Sequence, residues 1–185
     1  MSFGLPKSLM VNGKEFAIRW EYTAVLDIIS AMNDPELEDN EKAYVCLFIL
    51  YEDFDRLEKE DYEEAFKQAK WFMDNGVENR KTANVKMVDF EQDANLLFPA
   101  VNRVAGREIR AEEDIHWWTF LGWFMEMGEC TYSTVLSIRN KKAKGKTLEK
   151  WEREFYIENK GLCDIQPRLT EAEKEAERRL NELLS

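Results

Sequence analysis

The stretch Asp114-Ile115-His116-Trp117-Trp118-Thr119-Phe120-Leu121-Gly122-Trp123-Phe124-Met125-Glu126-Met127-Gly128, running on through Glu129-Cys130-Thr131-Tyr132 to Ser137-Ile138-Arg139, holds half of the chain's six tryptophans and its one histidine. Wound as a helix, Ile115 to Met127 sets Trp117, Trp118, Phe120, Leu121, Phe124, Met125 and Met127 on one wide apolar arc. His116, Thr119, Trp123 and Glu126 fall toward the other side. Full burial of one large apolar side chain contributes roughly 1.5–3 kcal/mol, so an element this rich in aromatic rings is expected to nucleate the core. Glu112, Glu113 and Asp114 would lie on its first turn, where the positive end of the peptide dipole favours them, and Gly128 would end it.

Outward from that helix the pattern predicts a mainly α fold, a single-domain helical bundle over 1–185 with a small N-terminal β-hairpin at about 8–19. A chain of 185 residues suffices for one sizeable core, and two halves would each be small. Asn12-Gly13 between Leu9-Met10-Val11 and Glu15-Phe16-Ala17-Ile18 is the hairpin signal. Trp20, Ala24, Val25, Ile28, Ile29 and Met32 recur at helical spacing up to Asn33-Asp34-Pro35. Asp39 or Asn40 can cap a second helix through Tyr51, apolar on nearly every side between Val45 and Leu50 and therefore expected to be central. A third carries Tyr62, Ala65, Phe66, Ala69, Trp71, Phe72 and Met73 to a stop at Asn75-Gly76. Val77 to Val88 reads as a surface loop.

Asp89 with Gln92 resembles a capping pair ahead of Phe90, Ala94, Leu97, Phe98, Val101 and Val104, with Gly106 closing that helix and Pro99 kinking it or marking its start. Further helices are predicted at Thr131–Lys142 and Thr147–Asn159, the latter ended by Gly161. A C-terminal amphipathic helix follows at about 170–184, opened by a Thr170/Glu173 capping box.

The charge balance narrows the function classes. A net charge of −11 opposes nonspecific phosphate binding, so nucleic acid is not an expected partner. Cys46, Cys130 and Cys163 are odd in number and widely spaced, which fits reduced thiols. The opening residues lack the basic and then apolar run of a signal peptide, and no apolar run approaches the roughly 20 residues of a membrane span. The chain is expected to stay in the cytoplasm where it is made, without a membrane partner.

No residue pattern points to catalysis. A single histidine leaves no second imidazole for a His-rich metal site or an alternative base; His116 reads as a structural residue at a helix start, and Glu126 and Glu129 as a solvated helix face. The acidic run from Asp53 to Glu64 lacks the alternating ligands, central Gly and terminal Glu of a calcium loop. No phosphate-binding glycine loop is present. No enzyme activity, cofactor or metal is therefore expected. The basic run Arg139, Lys141, Lys142, Lys144, Lys146 could meet an acidic partner or simply complete a helix C-terminus. Trp123 and His116, side by side in projection, are partner-contact candidates, Trp123 being a contact anchor if exposed and a core residue if another helix covers it. The terminal stripe of Leu169, Ala172, Ala176, Leu180 and Leu183 either docks on the parent domain or serves a partner's groove, which makes Leu180 and Leu183 candidates too.

The run Phe98-Pro99-Ala100-Val101-Asn102-Arg103-Val104-Ala105-Gly106-Arg107-Glu108-Ile109-Arg110, then His116 to Gly122, Met127 to Ser133, and Ser137-Ile138-Arg139 with Lys144-Gly145-Lys146, resembles the bacteriophage "gp fifteen" family. Leu5-Pro6 and Phe16 to Trp20 are similar to that family's opening, so the resemblance spans most of the chain. It implies a protein from the tail gene cluster of long-tailed phages and prophages of Gram-positive bacteria. The implied role is a tail assembly chaperone that keeps the tape measure protein soluble until tube subunits polymerise around it. On that reading the partners are the tape measure protein, the tail tube protein and further copies of the chain itself. The resemblance further implies that the protein works in the bacterial host cytoplasm and is not expected in the mature virion. The alternative is a structural virion protein, a tail completion or connector component.

Overall fold

The computed structural model describes residues 4–77 and 87–184. Among them the chain is mainly α, with nine α-helices and one two-stranded antiparallel hairpin at the N-terminal end, as the pattern predicts. Most of the predicted 77–88 loop lies outside the described residues. The fold comprises two compact units, one built on Trp20–Thr23 and Trp71–Ile165, the other on Pro6–Arg19, Ala24–Lys70 and Gln166–Ser185.

In the second of these, β1 (Ser8–Val11) and β2 (Lys14–Ala17) pair Leu9 with Phe16 and Val11 with Lys14. Asn12 and Gly13 have φ of 48° and 81°, the two left-handed central residues of a tight turn whose twist matches the strands. Leu9, Val11 and Phe16 are buried. Helix α1 is Tyr22–Met32, shorter at its start than the apolar spacing predicts; it belongs to this unit from Ala24 on, Tyr22 and Thr23 being part of the other. Helix α2, Asp39–Leu50, is preceded by Glu38, whose N–H donates to Glu41 Oε2 at 2.8 Å, so the cap sits one residue ahead of the expected Asp39. The Arg19 guanidinium meets the far end of α2, donating to the Ile49 carbonyl at 2.6 Å, where a cation suits the dipole. Helix α3, Tyr62–Met73, follows two short 3-10 turns and ends at Asn75 and Gly76, both with positive φ; from Trp71 on it is part of the other unit. Tyr51 is buried and its hydroxyl donates to the Ala65 carbonyl at 2.9 Å.

In the other unit, α4 (Ala94–Ala105) ends at the expected Gly106, with Pro99 in its interior and not at its start. Asp89 Oδ1 does accept the Glu91 and Gln92 N–H groups, both at 3.1 Å, but in a turn that precedes the helix. Helix α5 is Trp117–Met125. It starts later than the pattern predicts because Ile115 and His116 are drawn into extended pairing: Tyr22 N–H donates to the Ile115 carbonyl and Trp117 N–H to the Trp20 carbonyl, each at 2.9 Å. The acidic trio 112–114 is thereby kept off the helix.

Helices α6 (Thr131–Ala143), α7 (Lys150–Glu158) and α8 (Lys160–Cys163) complete the unit, and Gly161 lies inside α8 where it was expected to terminate α7. Phe120 anchors the packing, stacked on Tyr22 at 5.0 Å and on Trp117 at 5.6 Å. The Trp117 and Trp118 indole N–H groups donate to the Met73 and Phe72 carbonyls at 2.9 and 2.8 Å, which satisfies donors that burial would otherwise strand.

The last helix, α9 (Glu171–Leu184), belongs to the hairpin unit. The Thr170/Glu173 box forms as predicted, Thr170 N–H donating to Glu173 Oε2 at 2.8 Å and Glu173 N–H to Thr170 Oγ1 at 3.2 Å. No described helix is long and apolar enough to cross a membrane.

Candidate functional site

Helix α2 does not bury every side of its apolar run. Cys46, Leu47 and Leu50 face the interior, while Tyr44 and Phe48, one turn apart, point outward and remain 49% and 58% exposed. The structure thus corrects the expectation of a central helix. Phe54, in the 3-10 turn after α2, stands edge-on to both rings, 5.1 Å from Tyr44 and 5.6 Å from Phe48, and lies 5.8 Å from Tyr62 at the start of α3. Tyr44 and Phe48 stack at 6.5 Å. Four rings from three elements therefore form one contiguous surface cluster, each fixed by its neighbours.

The surroundings are acidic. Residues 38–64 carry eleven Asp and Glu against Lys42, Arg56 and Lys59, so most of the chain's net charge of −11 sits on the elements that present the cluster. Arg56 is further engaged by Asp53 at 2.9 Å. The arrangement is an exposed apolar centre on elements rich in carboxylates.

The predicted contact residues differ in their exposure. His116 is 4% exposed; its Nδ1 accepts the Trp118 N–H at 3.0 Å as the N-cap of α5, and its ring stacks on Trp20 at 5.6 Å. The projection that set it on the polar side of the helix fails because the residue precedes the helix. Trp123 is half-buried with the Arg107 guanidinium 5.8 Å from its ring. Leu180 and Leu183 are 55% and 84% exposed on α9, whose apolar stripe is in solvent. His116 and Trp123 belong to one unit, and Leu180 and Leu183 to the other. Met125, expected on the apolar arc, is 70% exposed.

The basic run is largely consumed inside the fold. Arg139 is buried and grips Asp93 through two hydrogen bonds of 2.7 and 2.8 Å, while Asp93 also accepts the Tyr132 hydroxyl at 2.9 Å. Lys141 binds both Glu152 oxygens at 2.7 Å, and Lys142 binds Asp164 at 2.6 Å. Burial pushes the Cys46 thiol up to about 12 and raises that of Cys163, so neither is a thiolate at neutral pH; all three cysteines are free. Among the described residues no three His, Cys, Asp or Glu side chains are grouped to hold a metal ion.

Two buried carboxylates are held below the usual range by their partners. The Asn12 amide does this to Asp61, with the Lys14 ammonium 3.7 Å away, and Lys141 does it to Glu152. Because the folded pKa lies below the unfolded one, their stabilisation is complete above the ordinary carboxylate range and is lost as pH falls through the folded value. The urea midpoint is expected to be nearly constant from about pH 7 to 5 and to fall from about pH 4 downward. Asn12→Ala and Lys141→Ala should each flatten that acid limb. A limb of unchanged slope in both variants would contradict the assignment.

The sequence model described as "Bacteriophage Gp15 protein" matches residues 2–165. The chain belongs to this bacteriophage family. No curated protein and no solved structure matches it. The span shared with the Gp15 family takes in the aromatic cluster and the Asp93–Arg139 pair, whereas α9 lies beyond it. The cluster escapes a reading by periodicity because an unbroken apolar run gives no sign of which face stays wet. The one available signal was the density of carboxylates on both sides of Tyr44, Phe48, Phe54 and Tyr62.

Proposed function

We propose that this phage protein is a tail assembly chaperone that binds the tape measure protein and keeps it soluble during tail tube assembly. The observation that carries the reading is the Tyr44–Phe48–Phe54–Tyr62 cluster set in an acidic surface. A tape measure protein is a long apolar helical chain, and a sheath for it needs exposed rings to hold apolar segments and a surplus of one charge to keep the loaded complex dispersed. Chaperoning of this kind uses many modest contacts, with affinity raised by multiplicity and subunits displaced as the tube grows. The work is binding, in the host cytoplasm, with no bond made or broken.

Coexpression tests it. The soluble yield of the tape measure protein is expected to rise several-fold in the presence of this chain, with the two coeluting on size exclusion. Unchanged yield and separate elution would remove the proposal. Mass spectrometry of purified particles separates it from the structural alternative: a chaperone is absent, whereas a tail completion or connector protein is present in stoichiometric amount.

A further inference from the structure

We infer that the Tyr44–Phe48–Phe54–Tyr62 cluster seats an amphipathic helix whose apolar face is bordered by Lys and Arg, supplied by another protein. The inference rests on the chaperone reading for which protein that is, and adds the kind of segment the surface takes. Aromatic rings with few rotatable bonds lose little freedom on binding and dominate contact energetics. Here Phe54 braces both exposed rings edge-on, so the platform is formed before anything docks. Tyr44 and Phe48 are one helical turn apart on α2, a spacing that matches apolar anchors at successive turns of a facing helix.

Charge then selects among occupants. Glu41 lies one turn before Tyr44, Glu52 and Asp53 follow α2, Asp55 follows Phe54, and Glu58 and Glu63 flank Tyr62; all six carboxylates are on exposed residues. An apolar centre on elements this rich in exposed carboxylates is the complement of an apolar stripe edged by ammonium and guanidinium groups. Nucleic acid and anionic lipid headgroups carry the wrong sign for this surface. So does α9 of a second copy, which brings Glu171, Glu173, Glu175, Glu177 and Glu182 against Lys174, Arg178 and Arg179.

The test uses the full chain and a fluorescein-labelled synthetic peptide, Leu-Lys-Lys-Leu-Leu-Lys-Leu repeated twice, beside the same peptide with Glu in place of every Lys, read by anisotropy. The Lys peptide is expected to bind, to weaken as salt is raised, and to lose about tenfold or more in affinity with Phe48→Ser. Tyr44→Ser is a second variant of the same patch. Met125→Ser, at an exposed site in the other unit, should bind as the parent does. Both patch positions are at the surface, and an unchanged thermal melt verifies that the variants fold. Equal binding of the Glu peptide, or parent-like binding by both patch variants, overturns the inference. If tape measure protein is solubilised equally by parent and Phe48→Ser, the chaperone reading stands and this site falls. If the Lys peptide binds through the patch but the tape measure protein is not solubilised, the chaperone reading falls and the recognition chemistry stands.

Discussion

Arg139→Ala is expected to lower the unfolding free energy by about 3–5 kcal/mol, the range for removing one partner of a buried ion pair. The side chain is the centre of a closed polar cluster. Besides Asp93 it donates to the carbonyls of Met87 at 3.0 Å, Leu162 at 2.8 Å and Cys163 at 2.9 Å. Truncation strands those acceptors and, among the described residues, leaves the Asp93 carboxylate with the Tyr132 hydroxyl and the Asp89 N–H, donors at 2.9 and 3.0 Å that cannot neutralise it. Coulomb attraction alone does not make such a pair stabilising, since both ions were taken out of water to form it. The paired replacement Asp93→Leu with Arg139→Met should therefore cost less than the two single changes together. Urea unfolding of the four chains, with slopes compared to confirm two-state behaviour, checks the cycle. A loss below about 1 kcal/mol for Arg139→Ala is what a solvated surface pair gives, and would show that the cluster admits water.

Phe120→Ala should cost a similar amount, about 3–5 kcal/mol, by deleting a ring that is fully buried and leaving a cavity its stiff neighbours cannot fill. Tyr22, Phe90, Phe98 and Trp117 all have ring centroids within 6.5 Å of it. Met125→Ala, five residues on in the same helix, should change stability by no more than about 0.5 kcal/mol, because that side chain is in solvent. Read by helical projection alone the two residues are equivalent members of one apolar arc. A comparable loss in both variants would mean that Met125 is packed. Against a total of about 5–15 kcal/mol for a domain, the Phe120 change alone can bring the native state close to unfolding at physiological temperature.

The parts legible in sequence share a short reach. Asn12-Gly13 specifies its turn because both residues tolerate left-handed backbone, and Asn75-Gly76 and Gly106 stop their helices for the same reason. Thr170 with Glu173 forms its box across three residues. The acidic surplus around Tyr44 and Tyr62 is likewise a property of the string. His116 is the structural residue at a helix start that the sequence predicts, but its burial, like that of Arg139 and the exposure of Phe48, is not legible by the same method. Each has its surroundings settled by residues distant in the chain: Trp20 for the imidazole, Asp93 for the guanidinium, and for Phe48 the absence of any described element packed over the outer face of α2.

By itself, then, the sequence determined the mainly α character, the hairpin, most helix ends, the family and the sign of the surface, since propensity, capping and net charge act locally or as a simple sum. Tertiary structure alone decided which rings of an all-apolar run are left in water, that Ile115 and His116 extend against 20–22 before α5 begins, and that Arg139 is a buried counter-ion. Burial and pairing depend on which remote segments meet, and 46 residues separate Asp93 from Arg139. No periodicity within either helix records that meeting.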